Sequence, residues 1–185
     1  MGTVRVVAFS SDGKLLYTTS YQSARLWDVA TGAERAVLKG VSPTAVNPDC
    51  TLVITAWPSH MVRLSELATG TVRTVLKGHL GPVTHAEFSP DGKLVVTTSR
   101  HDGTVRVWDA TTGAEQALLA VHTSIRPVLS PDGKLVVTAS RDSTVLWEVA
   151  TSSVRAVLKH TAVVTSAAFS PDNKFVLTVS RDSIG

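Results

Sequence analysis

At 185 residues, 43% hydrophobic and 18% charged, the chain has enough apolar side chains for a packed core and too few charges for a disordered segment. Its formal charge of +3 tolerates an acidic partner without demanding one, and a single cysteine, Cys50, excludes an intramolecular disulfide. The start, MGTVRVVAFSSDGK, lacks the apolar run of a signal peptide or membrane span, and Val6 breaks the N-myristoylation pattern, so a soluble cytoplasmic protein with no membrane partner is expected.

Residues 3–10 read as a first strand, ended by the turn SSDGK at 10–14. The turn recurs as NPDCT at 47–51, SPDGK at 89–93 and 130–134, and SPDNK at 170–174. Its aspartates, Asp12, Asp49, Asp91, Asp132 and Asp172, are 37, 42, 41 and 40 residues apart. Two copies are identical over nine residues, SPDGKLVVT at 89–97 and 130–138. A second element keeps the same period: LWDVATG at 26–32, LSELATG at 64–70, VWDATTG at 107–113 and LWEVATS at 146–152. A third closes each unit, as AVLKG, TVLKG, ALLAV and AVLKH. Such self-similarity is the signature of a repeat architecture.

The third unit shows what each repeat builds. PVTHAEFS at 82–89 is predicted as a strand, and Pro-Asp-Gly turns the chain, with Gly92 free to take positive φ. KLVVTTS is the second strand, apolar along most of its length, as a strand covered on both faces is. Asp-Gly makes the next turn, TVRVWD alternates as the third strand, ATTG turns again, and AEQALLAV is the fourth. No segment has the 3.6-residue apolar period of a helix. Four antiparallel strands per unit predict an all-β chain of β-propeller blades, each covering its neighbours' faces. The boundaries fall at 1–40, 41–79, 80–121 and 122–159, with a partial fifth blade at 160–185, all in one domain.

The unit resembles the WD repeat (WD40). The Trp-Asp pair is literal at Trp27-Asp28 and Trp108-Asp109 and near-literal at Trp147-Glu148; the Gly-His that opens a family repeat stands at Gly78-His79. The resemblance implies a buried network in each blade, linking that His, a Ser or Thr on the second strand, the Asp of the following turn and the Trp of the third strand. It places this network at His79, Ser99, Asp102 and Trp108 in the third unit and at His122, Ser140, Asp142 and Trp147 in the fourth. The second unit has Val41, Trp57, Ser59 and Ser65 at those places, and the first keeps Ser20 and Trp27 but has Gln22 for the Asp. Ser, His and Asp together suggest a hydrolase triad. The set recurs once per blade, includes an indole donor and lacks a Gly-x-Ser-x-Gly elbow, so a structural role is expected and no catalytic residue is assigned. His79, His122 and His160 are about one repeat apart, without the close spacing of zinc ligands, so no metal or other cofactor is expected.

The same resemblance makes the face of the second-to-third-strand turns the docking surface. The residue after the serine is Tyr21, Pro58, Arg100, Arg141 and Arg181 in successive units. Three arginines at one structural address, with His101 beside Arg100, predict a basic rim for acidic or phosphorylated peptides. The plainer reading is three solvated arginines copied with the repeat. Tyr21 and Trp57 are candidate aromatic anchors. The expected function is therefore a non-catalytic scaffold for a protein or peptide partner. The alternative is a nucleic-acid module on the basic rim, which the few free aromatic rings argue against. Family propellers usually close with seven blades; here four and a half are expected to form an open stack, a piece of a larger propeller. Two apolar faces in water predict self-association, docking on further blades, or a longer chain.

Overall fold

The computed structural model describes residues 4, 6–20, 22–39, 43–56, 60–121, 125–140 and 142–181. Among these residues there are eighteen strands and no helix. The first sheet runs β1 (Val6–Phe9), β2 (Leu15–Thr19), β3 (Ser23–Asp28), β4 (Glu34–Lys39), in that order. The second runs β5 (Pro43–Val46), β6 (Leu52–Thr55), β7 (Val62–Glu66), β8 (Val72–Leu76). The third is β9 (His85–Phe88), β10 (Leu94–Ser99), β11 (Thr104–Asp109), β12 (Glu115–Ala120). The fourth is β13 (Val128–Leu129), β14 (Leu135–Ala139), β15 (Ser143–Glu148), β16 (Ser153–Lys159). A fifth sheet has two strands, β17 (Val164–Phe169) and β18 (Val176–Ser180). Every sheet is an antiparallel meander. The first strand of the third unit, His85–Phe88, is shorter than the predicted 82–89, although the Thr84 N–H still reaches the Thr98 carbonyl at 2.7 Å; beyond it Pro82 has no N–H to extend the ladder.

The repeated turn explains the repeated hairpin. Ser89 Oγ donates to Asp91 Oδ1 at 2.6 Å and accepts the Leu94 N–H at 2.9 Å, while Asp91 Oδ1 accepts the Lys93 N–H at 3.0 Å. Gly92, at φ +74°, turns its N–H back to the Ser89 carbonyl. The same bonds form at Ser10, Ser130 and Ser170. In the second unit Asn47 substitutes for the serine, its Oδ1 accepting the N–H groups of Thr51 and Leu52, and Cys50 occupies the glycine place at φ +59°. A second recurrence lies on the third strand. The register slips at Leu26/Trp27, Leu64/Ser65, Val107/Trp108 and Leu146/Trp147, one bulge per complete sheet at the tryptophan position.

First strands lie innermost. β5 lies beside β9 and β13 beside β17, and residues of β1, β5, β9 and β13 line one hollow with Asn47, Pro48 and Pro90. Alternation then sends one face of each sheet forward and the other back. Tyr17, Ala24 and Leu26 of the first sheet meet Cys50, Val53 and Leu67 of the second. Ile54, Val62, Leu64 and Leu76 meet Ala86, Phe88, Val95 and Trp108 of the third. Val96, Val105, Val107 and Leu119 meet Leu129, Val136 and Val149 of the fourth. The ring is not closed. Phe9, at the place of the buried Phe88, is 62% exposed, and Phe175 at the other end is 71% exposed.

Candidate docking face and the network beneath it

Blades place their hairpins by sequence spacing, so the polar groups of the third unit converge between the lead-in loop and the turn after β10. His79 Nδ1 lies 2.8 Å from Asp102 Oδ2, and its Nε2 lies 2.8 Å from Thr97 Oγ1. Trp108 donates its indole N–H to the same Thr97 oxygen at 2.8 Å. With the ring neutral, one proton arrangement satisfies every group: indole N–H to Thr97, Thr97 O–H to Nε2, Nδ1–H to the carboxylate. Burial pushes the His79 ring below its ordinary value, and the Asp102 carboxylate opposes this. Burial by itself would raise Asp102, but hydrogen bonds from Thr104, His79 and the Leu80 N–H bring its pKa down to about 2.

Two expectations need correction. The hydroxyl between the rings belongs to Thr97, not Ser99, whose Oγ instead accepts the Asp102 N–H at 3.4 Å. Trp108 pairs with Val95, so its indole reaches the diagonal neighbour Thr97 on the same face and falls short of Ser99, two residues beyond. In the fourth sheet Trp147 likewise bonds Thr138 at 2.9 Å, while Ser140 pairs with Ser143 at 2.7 Å. Asp142 is exposed, and its carbonyl takes the His160 N–H. Its turn is two residues shorter than the one that carries Asp102, too short to fold a carboxylate under a lead-in loop. His122 lies outside the described residues, as do Tyr21, Trp57 and Arg141.

The signal for Thr97 was present in the sequence. A threonine stands eight residues after the first residue of every repeated turn, at Thr18, Thr55, Thr97, Thr138 and Thr178. Trp27 bonds Thr18 in the same way, at 2.9 Å. The order carboxylate, imidazole, hydroxyl resembles a nucleophile with its base. Thr97 is fully buried, however, and its oxygen already accepts an indole proton, so it has no path to a substrate.

The network positions a surface. Asp102 ties the turn to the lead-in loop, where Leu80 is 82% exposed. His101 lies against Gly81, where a Cβ would come within 2.6 Å of its Nδ1. Arg100, His101 and Arg181 are all exposed. Five strand arginines differ: Arg25, Arg35, Arg73, Arg106 and Arg155 pair with Glu34, Asp28, Glu66, Glu115 and Glu148, whereas Arg63 on β7 is exposed and has no acidic partner among the described residues.

A sequence profile described as WD domain, G-beta repeat matches residues 1–28, 70–109, 115–147 and 152–184. The chain is 31% identical over 109 residues to serine-threonine kinase receptor-associated protein of Dictyostelium discoideum, covering 57% of this chain and 37% of that protein. It is 31% identical over 119 residues to small ribosomal subunit protein RACK1y of Oryza sativa subsp. japonica, covering 64% and 34%. It is 34% identical over 112 residues to guanine nucleotide-binding protein subunit beta of the same rice, covering 54% and 29%. The matched region thus spans about a third of the length of these relatives.

Proposed function

The chain belongs to the WD40 repeat family, and from that premise we propose that it acts in the cytoplasm as a non-catalytic scaffold that docks acidic or phosphorylated peptide segments. One observation carries this reading: the Arg100–His101 turn is fastened to the lead-in loop through Asp102 while both side chains stay exposed. A guanidinium on a rigid turn loses less freedom on binding than one on a mobile loop, and its fork matches carboxylate and phosphate. Arg181 holds the same address two blades on, with its N–H bonded to the Val163 carbonyl at 2.9 Å. Leu80, exposed on the lead-in loop that Asp102 holds, offers an apolar contact on the same face.

The test is titration of the 185-residue chain with labelled peptides in matched phosphorylated, acidic and neutral forms. Preference for the charged forms, reduced by Arg100→Ala and Arg181→Ala, supports the proposal. Equal binding of neutral peptides overturns it. Single-stranded oligonucleotide binding that falls steeply with salt and exceeds peptide binding would point to a nucleic-acid module instead.

A further inference from the structure

The hollow between the first strands has a volume of about 260 Å³, and Val46, Pro48, Phe88, Pro90, Val128 and Leu129 make its walls apolar. These walls come from the second, third and fourth sheets, each of which has another sheet on both sides. The polar side chains of the lining are mostly spent. Asn47 Oδ1 accepts the Thr51 and Leu52 N–H groups, its Nδ2 donates to Thr51 Oγ1 at 3.1 Å, and Ser89 Oγ is held within its own turn. Among the described residues that line the hollow, Glu87 alone carries a charge.

The repeat does not require that carboxylate. Glu87 pairs with Val96 across β9 and β10. The same register position holds Ala8 opposite Tyr17, Ala45 opposite Ile54, Val128 opposite Val137 and Ala168 opposite Leu177. Four sheets therefore form with an apolar residue at this place, and only the third departs from them.

The carboxylate is positioned but not neutralised by a fixed cation. His85, two residues back on the same face of β9, places its Nε2 3.2 Å from Glu87 Oε2. Among the described residues nothing bonds Oε1, and no lysine or arginine pairs with the group. Its side chain is 58% exposed, so a ligand can reach it.

We propose that this hollow binds a lysine side chain of a partner protein, with the ammonium on Glu87 and the four-carbon stem along the apolar walls. Charge complementarity selects a cation, since the one charge in the lining is negative. Size selects a single side chain, since pockets for drug-sized molecules run to roughly 300–1,000 Å³. An ammonium suits the site better than a guanidinium. The guanidinium fork gains most from two free carboxylate oxygens, and His85 already faces one of them. The β9–β10 turn with Ser89 and Pro90 lies at the opposite end of the strands from the Arg100 turn between β10 and β11. This site and the acidic-peptide face therefore fail independently.

The probe is an acetylated, amidated pentapeptide with one central lysine flanked by alanines, titrated into the whole 185-residue chain and followed by backbone amide shifts in NMR. The amides of Val46, Phe88 and Val128 should move together and saturate. Peptides with norleucine or acetyl-lysine in the central place, which keep the stem and lose the charge, should bind about three- to fivefold more weakly, the effect of one half-exposed ion pair. Glu87→Gln should weaken the lysine peptide by the same factor and leave the norleucine peptide unchanged. A thermal melt of the variant matching the parent shows that the fold is kept. The proposal is overturned if those amides show no saturable shift, if the norleucine peptide binds as tightly as the lysine peptide, or if Glu87→Gln has no effect. Tighter binding of the matched arginine peptide overturns the choice of a lysine.

Discussion

Trp108 donates its indole N–H to Thr97 Oγ1 at 2.8 Å, and the same bond, at 2.9 Å, joins Trp27 to Thr18 and Trp147 to Thr138. Thr97 also faces His79 Nε2, so two buried groups depend on one hydroxyl. Thr97→Val keeps the shape and removes both bonds. It should destabilise the fold by about 2–6 kcal/mol in urea unfolding, two unsatisfied groups at about 1–3 kcal/mol each. Ser99→Ala, which removes one long bond, should cost less than about 1 kcal/mol. Equal losses at the two positions would refute the assignment of the network to Thr97.

Gly78 is required for a reason unrelated to turn conformation. A Cβ there would overlap the Arg106 guanidinium and come within 3.1 Å of Trp108 Cη2. Arg106 lies over the Trp108 ring, its Cζ 5.9 Å from the centroid, and pairs with Glu115. Gly78→Ala should therefore cost about 1–3 kcal/mol through overpacking. Arg106→Ala in the same chain should recover part of that loss, so a double-mutant cycle with strictly additive effects would contradict the clash.

Ser152 adopts φ +53° at the place where the other outer turns have Gly32, Gly70 and Gly113. A left-handed conformation costs an L-residue about 1–2 kcal/mol. Ser152→Gly is expected to stabilise by about 1 kcal/mol, read as a raised Tm. Cys50 has the same backbone at φ +59° but is buried among Tyr17, Val53 and Leu67. There Cys50→Gly loses packing as it relieves strain, and no net gain is expected.

Acid should weaken the fold in two stages. The folded state holds His79 below its ordinary value, so the unfolded chain takes that proton first. The stability contribution of the neutral ring is complete above a pH of about 6.5 and declines as pH falls below it. Asp102 is lowered from 3.8 to about 2, so its contribution is complete above about pH 4 and is lost as pH falls through 2. Urea unfolding from pH 7.5 to 5 should show falling stability, and His79→Gln should flatten that slope. An unchanged slope in the variant would place the effect elsewhere.

Much of the fold was legible because the same local solution is written repeatedly. Ser89, Asp91 and Gly92 close a turn with bonds inside six residues, and such turns depend on little beyond their own chain. The site was less legible. Ser99 and Thr97 are both hydroxyl residues on one face of β10, and choosing between them needs the register of β11. Asp142 matched the family pattern at its own position, but two missing residues in its turn left it in solvent. Leu80 attracts no notice in the sequence, and its exposure follows only from the bond between its N–H and Asp102.

The sequence by itself determined the period, the strand order within each unit and the family, since these rest on turn chemistry and alternation that act over a few residues. Tertiary structure alone decided which threonine receives the indole, which arginines stand free of acidic partners, and which faces stay open. Those outcomes depend on groups some ten to twenty-five residues apart meeting at distances near 2.8 Å, as His79 meets Asp102 across 23 positions. A diagonal contact between strands changes with a single residue of register or loop length, and no local pattern encodes that sum.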